Sequence, residues 1–178
     1  MGILGIYASQ ISGHLTPPTF PSFESIATST PSGTGTITFS SIPSTFKHLQ
    51  IRCSSVPPTG NYNYLRVNGD SGNNYSFHQL QGDGSNASST GGNQNLIYIN
   101  NYSGTTSPAV AVIDIFDYQN VNKYKTVRSL GGVDSNGSGF VQFRTGAWLN
   151  TSAITSITIT SDGNYGSGSI FALYGIKG

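Results

Sequence analysis

Residues 154–160, Ile154-Thr155-Ser156-Ile157-Thr158-Ile159-Thr160, set Ile157 and Ile159 against the hydroxyl-bearing Thr158 and Thr160 at every second position. A period of two sends the two sets to opposite faces of an extended strand, so one face is buried and the other wet. The same spacing recurs in Ile37 and Phe39, Leu49 and Ile51, Ile113 and Ile115, Val141 and Phe143, and Phe171 and Leu173. These residues, with Ile157 and Ile159, are expected to be largely buried as the inner layers of two packed antiparallel sheets.

Working outward, short strands are expected at residues 23–28, 35–40, 46–54, 64–67, 75–80, 96–100, 110–118, 123–130, 140–145, 154–160 and 169–174, with no helix of useful length. Between them lie GDSGNN (69–74), GDGSNASSTGGN (82–93), DSNGSG (134–139) and SDGNYGSG (161–168), rich in residues that tolerate positive φ or form Asx-turns. Residues 82–95 are expected to be a mobile tip or a contact loop. No period of 20–50 residues repeats, which disfavours solenoids and propellers. The expected fold is all-β, an antiparallel β-sandwich over residues 22–178.

Residues 1–21 differ from the rest: a mildly apolar run, MGILGIYASQISGHL, leads into TPPTFP, whose prolines favour extended backbone. The reading is an extended N-terminal arm whose Ile3, Leu4, Ile6, Tyr7, Ile11 and Leu15 need a partner surface. An edge strand of the chain's own domain is the alternative.

Charged residues make up only 8% of the 178 residues and the net charge is +1, so no long-range field steers the chain toward nucleic acid. Aromatic residues and many Ile and Val argue for a packed core rather than disorder. No stretch approaches a membrane span, and Met1 to Tyr7 lacks the cationic start of a signal peptide.

Catalytic constellations do not emerge. Cys53, the single cysteine, reads as a buried small hydrophobe, and His48 lies five residues away along an extended strand, about 16 Å off, too far for a dyad. His14, His48 and His78 lack metal-ligand spacing. Asn68-Gly69-Asp70-Ser71-Gly72-Asn73-Asn74 resembles a calcium loop superficially, but without a closing Glu the better reading is an Asx-stabilised turn. Asp114 and Asp117, three apart, point to opposite faces of a regular strand and have no evident partners. Asn-x-Ser matches are expected by chance in so Asn/Ser-rich a chain. No enzyme activity, cofactor or metal is expected. Tyr62, Tyr64, Tyr75, Tyr102 and Tyr165 lie in or beside Asn/Gly loops, where they serve either carbohydrate or protein contacts or cap the ends of the core.

Six segments carry a family likeness: ASQISGHL (8–15), FESIAT (23–28), ITFSSIPSTFKHLQIR (37–52), VNGDSGNNYSFHQL (67–80), WLNTSAITSITIT (148–160) and GSIFALYGIKG (168–178). Together they resemble small virion proteins of tailed bacteriophages. The resemblance implies a jelly-roll-like sandwich on the particle surface, assembled in the host cytoplasm. It further implies a capsid cement or decoration protein, usually a homotrimer, bound to the major capsid protein and stabilising the head. A receptor-binding or tail-fibre head module recognising host surface carbohydrate is the other role it allows. Only about twenty residues precede the sandwich, too few for a fibre shaft, which favours cement.

Overall fold

The computed structural model describes residues 22–56, 62–101 and 107–178. Among them the regular structure is β alone: β1 (Phe23–Ser29), β2 (Thr36–Phe39), β3 (His48–Ser55), β4 (Tyr62–Val67), β5 (Tyr75–Gly82), β6 (Ala87–Gln94), β7 (Ile97–Asn101), β8 (Ala109–Phe116), β9 (Lys125–Ser135), β10 (Ser138–Trp148), β11 (Ile157–Ser161) and β12 (Ile170–Ile176). They form an eight-stranded sheet in the order β1-β12-β3-β8-β9-β10-β5-β6 and a four-stranded sheet in the order β2-β11-β4-β7. The arm residues Ile3, Leu4, Ile6, Tyr7, Ile11 and Leu15 lie outside the described residues.

The pairing is nested. β1 pairs β12, β2 pairs β11, β3 pairs β8 and β4 pairs β7, all antiparallel. Along β1 to β4, and again along β7, β8, β11 and β12, consecutive members alternate between the sheets. A long hairpin rolled up in this way is a jelly roll. Two hairpins are added to this framework: β5–β6 in the connection from β4 to β7, and β9–β10 in that from β8 to β11. Pairing of β9 with β8 and of β10 with β5 joins both to the β8 edge, which lengthens one sheet to eight strands.

Period-two patterning holds in the framework. Ile37, Phe39, Leu49, Ile51, Ile113, Ile115, Ile157, Ile159, Phe171 and Leu173 are all buried. Each contributes about 1.5–3 kcal/mol of transfer free energy, most of it offset by the conformational entropy lost on folding. Cys53 is buried on the same inner layer, and burial pushes its thiol up to about 12. Gly175 faces the Phe46 ring so closely that a Cβ would come within 2.3 Å of it, which fixes glycine at that position.

Three expectations are corrected. Val141 and Phe143 are not buried: they are 64% and 42% exposed, because the inner positions of β10 are Gln142, Arg144, Gly146 and Trp148. Residues 87–94, expected as part of a loop, are the edge strand β6, held by its ladder with β5 and exposed along almost its whole length. With neither face covered, it carries no apolar alternation to read. The 134–139 stretch is a tight turn at Asn136-Gly137, both with positive φ (56° and 84°), and β9 and β10 run up to it. Two successive left-handed residues give the reversal whose twist matches a hairpin.

The Asx-turn reading of 68–74 stands. Asp70 Oδ1 accepts from the Gly72 N–H at 2.9 Å, and Asp70 Oδ2 accepts from the Trp148 indole N–H at 2.7 Å. These donors hold its carboxyl below the ordinary aspartate range, the indole most strongly. Tyr75 and Tyr165 are fully enclosed core residues, Tyr165 edge-on to Phe171.

Candidate functional site

The outer face of the long sheet carries an extended uncovered apolar surface. The cross-strand register places Ile170, Ser54, Val110, Gly132 and Val141 in one row. The adjoining row reads Ala172, Arg52, Val112, Leu130, Phe143 and Leu80. Ile170, Val110, Val141, Val112, Leu130, Phe143 and Leu80 are each at least 40% exposed. At about 4.8 Å per strand the second row runs about 24 Å. Around it, Pro108, Phe140 and the Asp134–Gly139 turn wall a shallow trough of about 930 Å³. A contiguous apolar patch of this kind marks an interaction surface, since single exposed apolar residues are scattered.

Next to it the outer face turns polar. Asp114 accepts from Arg128 Nη2 at 2.6 Å and from Gln50 Nε2 at 2.8 Å. Arg52 lies between the rings of Phe23 and Tyr174, and its Nε donates to Gln50. Asp114 therefore has partners the spacing did not reveal. So has Asp117, which lies beyond the end of β8 with φ at 47° and is paired with Lys123 and Lys47. Lys123 in particular holds the Asp117 carboxyl below its ordinary range. His48 Nδ1 accepts the Asp117 backbone N–H at 2.9 Å. His48 and His78 stand on β3 and β5, separated by three strands, and no metal-holding cluster of His, Cys, Asp or Glu occurs among the described residues.

The inner face of the added hairpins mixes buried polar side chains with the apolar Tyr75, Phe77, Val127 and Trp148. Arg144 of β10 stands opposite Gln79 of β5 and Ser129 of β9, and Gln142 stands opposite Gln81. Gln79 Nε2 and Gln142 Nε2 both donate to Gln81 Oε1, whereas Gln142 Oε1 has no partner. Arg144 is 1% exposed, yet Nε, Nη1 and Nη2 all lack a hydrogen-bond partner. Its guanidinium carbon lies 5.7 Å from the Tyr98 ring centre and 6.0 Å from that of Tyr62. Burial pulls its pKa down to about 10.

Magnitudes make this arrangement unusual. Removing a cation from water costs several kcal/mol even after relaxation, and a ring face returns about 0.5–2 kcal/mol. The chain's other buried cation is treated differently. Lys125 donates to the carbonyls of Asn120, Thr151 and Lys123, which occupies all three of its protons.

Tyr62, Tyr64 and Tyr98 form a half-buried cluster beside Arg144, with Tyr98 edge-on to Tyr62 at 5.3 Å and to Tyr64 at 5.1 Å. Phe77 closes it at 5.1 Å from Tyr98. The Tyr64 hydroxyl donates to Asp162, and burial together with that bond raises its pKa. Of the tyrosines singled out in the sequence, Tyr62 and Tyr64 are brought together, Tyr75 and Tyr165 are core, and Tyr102 lies outside the described residues. Arg144 was missed because a lone arginine in an apparently amphipathic strand reads as a solvent-facing residue.

No helix among the described residues is long and apolar enough to cross a membrane. No protein-family model, curated protein or solved structure matches the chain.

Proposed function

We propose that this chain is a bacteriophage structural protein, a capsid cement or decoration protein that binds the major capsid protein on the outer surface of the head and stabilises it. In this reading the sandwich packs as a homo-oligomer, a trimer, through the outer face of its long sheet, and residues 1–21 reach across the capsid. The observation that carries it is the pair of apolar rows from Ile170 to Val141 and from Ala172 to Leu80. Covering such a face removes apolar surface from water, and its one cation, Arg52, already lies against the rings of Phe23 and Tyr174. The sequence resemblance supports the location on a virion. Low net charge fits an assembly held by shape and apolar burial, which should persist at high salt.

Two variants separate the two contacts. Leu130→Asp should leave a folded monomer by sedimentation, because the side chain is half exposed and a charge there is solvated until a neighbour covers it. Deleting residues 1–21 should leave an oligomer that no longer decorates phage heads lacking the chain. An oligomer unaffected by Leu130→Asp, or undiminished decoration by the truncated protein, removes the corresponding half of the reading.

The tyrosine cluster favours a second reading, a receptor-binding head that recognises host carbohydrate. Loss of host-cell adsorption on changing Tyr62 and Tyr64, with head stability unchanged, would select it.

A further inference from the structure

We propose that Arg144 is the anion-recognition point of a sugar-binding site, taking the carboxylate of a hexuronate-type unit whose ring lies against Tyr62 and Tyr98. The inference is independent of whether the chain sits on a head or a tail. It rests on an accounting of charge. All seven carboxylate side chains lie among the described residues, and each is engaged elsewhere. Glu24 pairs with Lys177, Asp114 with Arg128, and Asp117 with Lys47 and Lys123. Asp70 accepts from Trp148 and Gly72, Asp83 from the Ser85 and Asn86 N–H groups, Asp134 from the Gly137 N–H, and Asp162 from Tyr64. None forms an ion pair with Arg144. No carboxylate side chain of the chain neutralises this buried guanidinium, and an anion from another molecule would.

The surroundings select the kind of molecule. A planar fork of donors matches a carboxylate bidentately. Tyrosine faces suit the C–H face of a pyranose, being rigid and amphipathic. Gln79 and Gln81, half-buried on β5 and bonded to each other, hold an amide network beside the site, in which Gln142 Oε1 is an acceptor with no partner. Lys125 shows that this chain satisfies a buried cation with its own carbonyls where no ligand is called for. Because the Tyr62 and Tyr98 rings border the guanidinium, binding there should produce a tyrosine ultraviolet difference spectrum.

The test is calorimetric titration of the full chain with glucuronate or galacturonate, glucose, acetate and inorganic phosphate, with thermal shift alongside. The uronate should bind with millimolar or better affinity, at least about tenfold tighter than glucose or acetate. Arg144→Gln should abolish this, and Gln79→Ala should weaken it in a protein whose near-ultraviolet circular dichroism is unchanged. The Gln79 variant keeps the test open if Arg144→Gln does not fold. Uronate no better than acetate or phosphate overturns the sugar assignment. No binding by any anion, or full uronate binding by folded Arg144→Gln, overturns the site.

Discussion

The jelly-roll framework and the hairpins added to it obey the same alternation with opposite sidedness. In β2, β3, β11 and β12 the large apolar residues point between the sheets, as Ile37, Ile51, Ile159 and Leu173 do. In β10 and its neighbours Leu80, Leu130, Val141 and Phe143 point out, while Gln142 and Arg144 point in. A pleat dictates that neighbours alternate; what covers each face dictates which set goes where. The four-stranded sheet covers the framework, but the eight-stranded sheet extends past it, and β6 packs substantially only on β5. The added strands β9 and β10 therefore bury polar side chains, Ser129, Gln142 and Arg144, on their inner face while exposing apolar ones on the outer, which is the reverse of what solvent alone would select.

The largest effect that can break this comparison is a pair of truncations. Ile159→Ala should cost about 2–5 kcal/mol in urea unfolding, since the side chain is fully enclosed and its loss leaves a cavity. Leu130→Ala, measured at a concentration where the chain is monomeric, should stay within about 0.5 kcal/mol of the parent. Equal costs would mean that the outer face is covered within the monomer.

Reactivity sharpens the same contrast. Cys53, with its thiol pushed up to about 12 by burial, should resist a thiol reagent at pH 8 until the protein unfolds. A cysteine placed at Leu130 should react within minutes in the monomer and become protected on assembly. Rapid modification of native Cys53 would place an opening in the framework itself.

Acid should act where the two regions meet, at Asp70. Its carboxyl is held below the ordinary range by the Trp148 indole at the end of β10 and by the Gly72 N–H. A carboxyl whose folded pKa is depressed contributes stability that is present above its unfolded value, near 3.8, and is lost as pH falls through the folded value. Asp70→Asn should cost about 1 kcal/mol near neutrality, the net worth of a hydrogen bond, and flatten the decline below pH 4. An unchanged acid limb by circular dichroism would assign acid sensitivity to Asp83 and Asp117, whose carboxyls are also held low.

The framework was legible because alternation and burial coincide there. Ile157-Thr158-Ile159-Thr160 is apolar on one face only, and the other face is wet. The apolar outer face was partly legible: Ala109-Val110-Ala111-Val112-Ile113 is apolar at every position, the pattern of a strand covered on both sides. In β10 the same logic misled, since Val141 and Phe143 are the apolar set but face away from the core. The Arg144 site could not be read from sequence at all. It depends on β10, β4 and β7 meeting in space, and on the absence of any carboxylate beside the guanidinium, which only the packing of the two sheets reveals.

The smallest effect belongs to β6. Residues 87–94, Ala-Ser-Ser-Thr-Gly-Gly-Asn-Gln, are exposed on both faces except at Gln94, so the strand is held by backbone bonds to β5 alone. An edge strand pairs only one side of its backbone, and a strand without buried side chains adds little that opposes local opening. Ser89→Ala and Thr90→Ala should therefore change global stability by less than about 0.5 kcal/mol. In native-state hydrogen exchange the β6 amides should exchange first among the strands, while those of β3 and β12, central to the framework, exchange only with global unfolding. Slow exchange in β6 would mean that its open edge is paired in solution. The sheet would then continue into a neighbouring copy through its edge, and the outer face would no longer be the principal contact between subunits.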